Sequence, residues 1–164
     1  MREDLAFDPA GGVYVAVMSD EGIVEQKIYQ ERCLKSEEWR KLGHNPFGNG
    51  FRPTHLAGEL VAKYSGVTQE QLEADKPGHF SIAGRIVSQR DFGKAAFIVV
   101  SDRSGSIQVH FKRDVLGDKY AAFKLVDVAD FVGITGTLFR SKTGELTIAA
   151  GDLIPFTKSL RPLP

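Results

Sequence analysis

The sequence has almost no cysteine and no long apolar run, and these two shortages exclude whole classes of protein. Its single cysteine, Cys33, cannot form an internal disulfide, which excludes a disulfide-stabilised secreted domain and fits a reducing compartment. The unbroken apolar stretches are far shorter than a transmembrane helix requires. The opening residues, MREDLAFDPAGG, lack the basic and then apolar pattern of a secretory signal. We therefore expect a cytoplasmic protein with no membrane partner.

Groups that usually carry chemistry are also scarce. No paired carboxylates and no Ser–His–Asp set stand in a catalytic context, and FGKAA lacks the earlier glycine and the following Ser or Thr of a phosphate-binding loop. The four histidines have no cysteine partners at metal-ligand spacing. The sequence therefore predicts no catalytic residue, no metal site and no cofactor in this chain. The histidines are His44, His55, His79 and His110.

Charge is balanced over the whole chain but not between its halves. The chain has 21 basic and 21 acidic residues. Residues 1–78 carry 9 Lys and Arg against 13 Asp and Glu, whereas residues 79–164 carry 12 against 8. If the chain has a nucleic-acid partner, we expect it on the second half. Chance is the alternative explanation, because splits of this size are common.

Two segments precede the change in pattern at residue 79. Residues 1–24 are an unassigned N-terminal extension, in which VYVAVM is a candidate strand with no obvious partner nearby. Residues 25–78 form a helical region and linker, which begins with a charged helix over 25–42 that has a thin apolar stripe. Gly43 is a plausible stop for that helix.

Two further helices are indicated inside the 25–78 region. Thr54 is a candidate cap for the first of them, which follows the turn-rich stretch NPFGNGFRPT. Thr68 and Gln71 have the spacing of a capping box for the second. The stretch DKPG then closes the region.

The spacing of apolar residues changes at residue 79. Before it the period is near 3.6, and in residues 79–164 it is 2, which is typical of strands. Three such stretches are followed by the helical stretch GDKYAAFKLV and then by two more. The turn DRSG makes the second and third stretches a hairpin. Three strands, a helix and two strands, all short, is the order of the five-stranded OB barrel. The sequence therefore predicts a mainly β fold with N-terminal helices (α+β), with an OB-fold barrel over 79–164 that has a helix between strands 3 and 4.

Strand alternation leaves one large aromatic side chain outside the predicted barrel. Ile98 faces the core, so its neighbour Phe97 faces outward. By the same reasoning Gln108 and Glu145 lie outward, and Arg90 lies at the end of the first barrel strand. An aromatic ring, an amide, a carboxylate and a guanidinium on one surface suit single-stranded nucleic acid, in which a base stacks and its edge is hydrogen-bonded.

These outward residues also have purely structural interpretations. Phe97 could be covered by the N-terminal helices. Glu145 could belong to an ordinary solvated hairpin tip, and Gln108 could be a surface amide. Their combination favours RNA binding, but the residue pattern alone leaves these alternatives open.

At these residues the sequence resembles the N-terminal anticodon-binding region of bacterial class II lysyl-tRNA synthetases. The similarity runs through residues 31–164 and includes LGHNPFGNGFRPTH, AGRIVSQRDFGKAAFIVVSDRSGSIQVHFKRDVLG, DFVGITGTLFRSKTGELTI and TKSLRPLP. Synthetases for aspartate and asparagine share the OB pattern, including the SDRSGSIQV region. The stretches GKAAF, KTGEL and LRPLP favour the lysine enzyme.

The resemblance implies a partner, lysine tRNA, whose U-rich anticodon spreads over the barrel. Carried over by position, Phe97 would stack on the middle uridine. Arg90, Gln108 and Glu145 would contact anticodon base edges. The helix near residues 32–42 would lie close to the tRNA and to a dimer partner. No DNA partner is expected.

The resemblance also implies a limit on activity. The family continues beyond LRPLP into a catalytic domain, which uses ATP and Mg²⁺ to attach lysine to tRNA during protein biosynthesis. We therefore expect no enzymatic activity from this chain alone, and a monomer or weak homodimer. The chain would be a fragment, with the catalytic domain as a partner, or a free-standing relic. The alternative function is an OB-fold interaction or dimerisation protein, derived from a synthetase, that has lost RNA binding.

Overall fold

The computed structural model describes residues 19–163 and the backbone of residues 3–7 and 13–17. Its helices and strands follow one another along the chain with short connections. In chain order they are β1 (Glu3–Phe7), β2 (Val13–Val17), α1 (Asp20–Lys41), α2 (Ala57–Lys63), α3 (Gln69–Asp75), β3 (Phe80–Asp91), β4 (Ala95–Ser101), β5 (Ser106–Lys112), α4 (Arg113–Leu116), a 3₁₀ turn (Gly117–Lys119), α5 (Tyr120–Phe123), β6 (Phe131–Arg140) and β7 (Leu146–Thr157).

Strands β3 to β7 close into a barrel in the order β3-β4-β5-β7-β6. Neighbouring strands are antiparallel except β5 and β7, which run parallel. The helical segment α4 to α5 lies between the third and fourth barrel strands. These observations confirm the predicted five-stranded OB barrel, with its helix between strands 3 and 4 and helices before the barrel.

The barrel interior is filled by the apolar residues that alternate along each strand. Ile82, Ile86 and Val109 are fully buried, and Ile98 is 1% exposed. Phe97, of opposite parity, is only partly buried. The predicted inward and outward faces of β4 are therefore correct.

The N-terminal segment differs from the sequence-based prediction in two ways. Strand β2 has a partner that the sequence did not reveal, because β1 pairs with it in an antiparallel hairpin. Helix α1 begins at Asp20 instead of near residue 25, and the Ser19 side chain caps it by accepting a hydrogen bond from Gly22 N (3.3 Å). The division into 1–24, 25–78 and 79–164 stays a prediction.

Two predicted helix boundaries are confirmed. Gly43 follows the end of α1 with φ +85°, a left-handed conformation that glycine adopts without strain. At α3 the Thr68 side chain accepts from Gln71 N while the Gln71 side chain accepts from Thr68 N, which is the predicted capping box.

Helix α2 is capped by the barrel, so the prediction that Thr54 caps it is wrong. The helix begins at Ala57, whose N–H donates to Asp102 Oδ2 (2.7 Å). The N–H of Gly58 donates to Ser104 Oγ (2.8 Å). Because the helix starts three residues after Thr54, the turn between β4 and β5 supplies the acceptors instead. This contact attaches the helical region to the barrel.

A buried lysine attaches α1 to the barrel. The Lys158 ammonium lies 4.9 Å from the ring centroid of the fully buried Trp39. It donates to Asp127 (2.6 Å), to Asp130 (2.7 Å) and to one backbone carbonyl. Burial raises the pKa of Asp130. Burial also acts to raise the pKa of Asp127, but hydrogen bonds from lysine side chains outweigh it and the pKa is lowered.

Replacing Lys158 should destabilise the fold strongly. Lys158→Met keeps an apolar stem beside Trp39 but leaves the buried Asp130 carboxylate without its cation. Removing one partner of a buried ion pair costs about 3–5 kcal/mol, so we expect a loss of this order in the free energy of unfolding. Urea denaturation followed by circular dichroism measures it.

The matched control is Lys119→Met, which removes an exposed lysine from its ion pair with Asp152 (2.8 Å). Exposed pairs are worth about 0–1 kcal/mol, so this variant should unfold close to the wild-type midpoint. Equal midpoints for Lys158→Met and the wild type would contradict the role given to the buried lysine.

The cap on α2 should make stability depend on pH. Burial acts to raise the pKa of Asp102, but hydrogen bonds from the Ser104 hydroxyl and three backbone N–H groups outweigh it, so the pKa is lowered. The stabilisation is therefore fully present above the unfolded pKa of about 4 and is lost as pH falls through the lower folded pKa. Asp102→Ala should cost about 0.5–2 kcal/mol at pH 7.

Urea denaturation of Asp102→Ala and the wild type at a series of pH values tests this expectation. The difference between them should shrink as the medium is acidified. The exposed Asp118 provides a control, Asp118→Ala, that removes a carboxylate outside the α2 contact. A difference that stays constant down to the most acidic pH would show that the Asp102 carboxylate does not carry the effect.

Candidate nucleic-acid interface

One row of cross-strand neighbours runs around the outside of the barrel and includes Phe97. The register pairs Phe97 with Arg90 on β3 and with His110 on β5. His110 pairs in turn with Ala149 on β7, and Ala149 pairs with Thr137 on β6. Each of the five barrel strands contributes one residue. The structure thus brings two of the predicted site residues, Arg90 and Phe97, side by side.

A β-bulge decides on which side of β3 Arg90 lies. Ile86 and Ser88 pair with consecutive residues of β4, so Val87 is an extra residue in β3. Strict alternation from the buried Ile86 would point Arg90 into the core, and the extra residue reverses that parity. Arg90 is exposed as a result. The bulge therefore puts the guanidinium on the face that carries Phe97.

Phe97 is the second ring in a line of four. Its ring stacks on His110, with centroids 4.4 Å apart and an interplanar angle of 19°. Phe92 approaches Phe97 edge-on at 6.2 Å, and Phe139 lies 5.8 Å beyond His110. Centroid distances in this range are favourable for aromatic pairs. The two rings next to Phe97 come from β5 and from the turn between β3 and β4, so the barrel itself partly covers Phe97.

His110 is the residue of this row that sequence reasoning missed. Strand parity places it outward beside Gln108, but parity within one strand does not show which residue lies opposite on the next strand. Burial lowers the pKa of His110, and the charge of Lys112 lowers it further. Because the pKa lies below its ordinary value of 6.5, the neutral imidazole is the main form at pH 7 and packs against Phe97 as an uncharged ring.

Gln108 and Glu145 lie together beside this row, and Gln108 is two residues before His110 on β5. Gln108 pairs with Thr147, and its Oε1 accepts a hydrogen bond from Thr147 Oγ1 (2.9 Å). Glu145 is exposed and immediately precedes β7, which begins at Leu146. Both line a hollow of about 280 Å³. With its oxygen engaged, Gln108 has its NH₂ group left as a donor, whereas the Glu145 carboxylate offers acceptors.

Arg140 lines the same hollow, but its guanidinium is held by the protein. It donates to the carbonyl oxygens of Val67 (3.0 Å) and Gly144 (3.0 Å), and also to those of Tyr64 and Ser65. These bonds connect the segment between α2 and α3 to the end of β6. Arg140 therefore builds the wall of the hollow.

The basic side chain at the start of the 32–42 stretch is engaged in a similar way. Arg32 donates to the backbone carbonyls of Ser159 (3.0 Å), Arg161 (3.1 Å) and Val128 (3.2 Å). The guanidinium thus holds α1 to the end of the chain and to the segment before β6. The expected closeness of this helix to tRNA stays a prediction.

The described residues contain neither a metal-ligand cluster nor a membrane-spanning helix. Among the described residues, no group of three or more His, Cys, Asp or Glu side chains could hold a metal ion. Of the helices described, none has the length and apolar character needed to cross a membrane. The candidate site consists of aromatic, amide and charged side chains on the outer barrel face.

Comparisons with known proteins agree with this fold. Residues 80–156 match the tRNA anticodon family model, described as an OB-fold nucleic acid binding domain. The chain is 48% identical over 149 residues to the lysine–tRNA ligase of Anaeromyxobacter sp. (strain K), which covers 90% of this chain and 29% of that protein. Matches to the lysine–tRNA ligases of Azoarcus sp. (strain BH72) and Pediococcus pentosaceus are each 46% identical.

Those two matches cover 85% and 81% of this chain, and 28% and 27% of the relatives. The chain therefore spans less than a third of the length of these relatives. The resemblance to lysyl-tRNA synthetases drawn from the sequence is confirmed. The barrel is an OB fold, residues 80–156 are similar to the OB-fold nucleic acid binding domain of the tRNA anticodon family, and the chain is similar to part of a lysine–tRNA ligase.

Proposed function

We propose that this chain binds the anticodon loop of lysine tRNA through the outer face of its barrel. The observation that carries the proposal is the grouping of four side chains on β3, β4, β5 and the start of β7. Arg90 and Phe97 are register partners, while Gln108 and Glu145 line one adjoining hollow. The match of residues 80–156 to a tRNA anticodon family supports the assignment.

The ring of Phe97 supplies a platform for one base. Stacking on an aromatic side chain is worth about 1–3 kcal/mol per base and is available to every base, because each has a π face. Phe92 and His110 hold the ring in place before any ligand arrives. The exposed Arg90 guanidinium beside it meets a phosphate or a base acceptor.

The hollow beside the platform selects the base. Uracil presents carbonyl oxygens and one N3–H donor on its Watson–Crick edge. The free NH₂ of Gln108 donates to a carbonyl oxygen, and the Glu145 carboxylate accepts the N3–H. Cytosine presents an unprotonated N3 instead, so two acceptors would face each other, which costs binding energy. This arrangement favours a middle uridine.

The remaining assignments follow the same proposal. Residues 79–164 hold the RNA, residues 25–78 support the barrel, and residues 1–24 are an extension. Attachment of lysine to tRNA with ATP and Mg²⁺ is assigned to the catalytic domain of a lysine–tRNA ligase, outside the matched part. That domain is the second proposed partner, beside a weak homodimer, in the cytoplasm.

Replacing each of two adjacent residues of β4 by alanine, in separate variants, tests the role of Phe97 as a stacking platform. Phe97→Ala should weaken binding of a stem-loop RNA with a UUU anticodon by about 1–3 kcal/mol. It should lower stability only modestly, by roughly 0.5–1.5 kcal/mol for the lost ring contacts. Ile98→Ala is the matched control, because it removes a buried side chain and should cost roughly 2–5 kcal/mol of stability. Fluorescence titration and urea denaturation measure the two effects.

The opposite pattern, with Phe97→Ala unfolding early but binding RNA normally, would identify Phe97 as a purely structural residue. Glu145→Gln examines the hollow in the same assay. It replaces an acceptor by an amide, so discrimination between a middle U and a middle C should shrink more than affinity for U falls. Glu21→Gln, an exposed carboxylate on α1, should leave both quantities unchanged.

A further inference from the structure

We propose that the β1–β2 hairpin is a dimerisation element, in which β2 pairs edge to edge with β2 of a second copy of this chain. The hairpin lies outside residues 31–164, over which the sequence resembles lysyl-tRNA synthetases. The inference does not depend on RNA binding, because no residue of the hairpin belongs to the candidate nucleic-acid interface. It gives the proposed weak homodimer a specific interface.

The hairpin is incomplete as an isolated sheet. Within the described part of the chain, β1 and β2 form a two-stranded sheet, and the five remaining strands form the barrel. None of the described helices makes an extended contact with these two strands. A two-stranded hairpin is marginally stable at best in water, whereas three or more strands with an apolar face can be stable. The addition of further strands would therefore stabilise the hairpin.

The register gives the hairpin one apolar face. Leu5 pairs with Val15, and Phe7 pairs with Val13. Because residues two apart in a strand share a face, these four positions and Val17 lie on one side of the sheet. A second hairpin in the same plane extends this face and supplies the apolar cross-strand pairs that stabilise a sheet.

The charges of the two strands indicate which edge pairs. Strand β2 has the sequence VYVAV, which is uncharged, lacks proline and consists mainly of residues with high β propensity. Short segments of this kind pair readily when their edge is open. Strand β1 has the sequence EDLAF, and its two carboxylates discourage pairing with another strand. The favourable edge is therefore that of β2.

The occupant that fits this edge is a second β2. An antiparallel pair of identical strands centred on Val15 places the two Val15 residues opposite each other. Val13 then lies opposite the partner's Val17. Tyr14 lies opposite the partner's Ala16 on the other face. Every cross-strand pair is uncharged, and the two-fold axis closes the assembly as a dimer instead of continuing it into a filament.

The attachment of the hairpin to α1 is compatible with this pairing. Strand β2 ends at Val17 and α1 begins at Asp20. Because the paired strands are antiparallel, the two Val17 positions are about 14 Å apart along the strand direction, at roughly 3.4 Å per residue. The two chains therefore leave the sheet at opposite ends. Each copy contributes one five-residue strand, far less than the roughly 20–30 residues of a standard interface, so the dimer is weak.

A charge exchange at Val15 tests the two-fold pairing. Val15→Lys and Val15→Glu each place like charges directly opposite one another across the axis, which destabilises the pair. At concentrations where the wild type dimerises, each variant alone should be a monomer, and an equimolar mixture of the two should recover the dimer. Analytical ultracentrifugation measures both.

The matched controls for the charge exchange are Leu5→Lys and Leu5→Glu. Leu5 pairs with Val15 of its own chain, so the two Leu5 positions of the dimer lie three strand spacings apart, about 14 Å. Charges at that distance are largely screened. Mixing these two variants should therefore give no more dimer than either variant alone.

Cysteine cross-linking locates the axis. Cys33 is the single cysteine of the chain, so Cys33→Ser gives a background without thiols. In that background Val15→Cys should form an intermolecular disulfide on mild oxidation, because facing Cα atoms of an antiparallel pair lie about 4.5–5.5 Å apart. Tyr14→Cys is the control, since the two Tyr14 positions are diagonal neighbours, about 7–8 Å apart and out of disulfide range. Non-reducing gel electrophoresis detects the cross-link.

Every other result would overturn the proposal. A wild type that stays monomeric at the highest concentration reached would leave the β2 edge open or available to a different protein. Equal cross-linking at positions 14 and 15, or a dimer that persists in both Val15 variants, would assign the association to another surface. Assemblies larger than a dimer would indicate head-to-tail pairing of β1 with β2. Circular dichroism of each variant confirms that it is folded, and loss of the proposed RNA binding would leave this inference intact.

Discussion

The Lys158 ammonium, buried under Trp39 and between two carboxylates, is the interaction on which the arrangement of the chain depends. It connects α1, the segment before β6 and the residue just after β7. Burying charged groups costs free energy unless they are paired and hydrogen-bonded. The fold is therefore stable only when the three segments bring these groups together. The contact holds the end of β7, and the start of the same strand runs parallel to β5, which places Thr147 opposite Gln108 and Ala149 opposite His110.

The β-bulge at Val87 is a second constraint, because it determines which β3 side chains lie on the outer face of the barrel. A strand that alternates without interruption would bury Arg90, because the period of 2 continues from Ile86. One extra residue changes the parity, so the guanidinium lies beside Phe97. The position of the site therefore depends on two features of the fold, the closure of β7 on β5 and the irregularity in β3. The bulge residue Val87 is not one of the proposed RNA contacts, whereas the pairing of β7 with β5 includes Gln108, which is.

The sequence was sufficient for the barrel and for most of the candidate face, because alternation reports directly which side of a strand is buried. Ile98 and Phe97 lie as their parity predicts. What alternation cannot report is register. The stacking of His110 on Phe97 and the bond from Thr147 to Gln108 depend on which residues of two strands lie opposite each other. The Asp102 cap on α2 was missed for a related reason, since its acceptor comes from a turn 45 residues away in the chain.

The face combines two kinds of side chain that serve recognition differently. Phe97 and His110 are held by each other and by flanking rings. A base that stacks on them therefore immobilises few side-chain rotamers, which lowers the entropic cost of binding. Glu145 lies exposed at a hairpin tip, where Ser141 Oγ accepts from its backbone N–H (3.1 Å), and its carboxylate must be fixed by the ligand itself. In the proposed complex, the rings would supply affinity that tolerates any base. The carboxylate would be favourable only when an N–H donor meets it, so selectivity would reside at the exposed hairpin tip and affinity at the stacked rings.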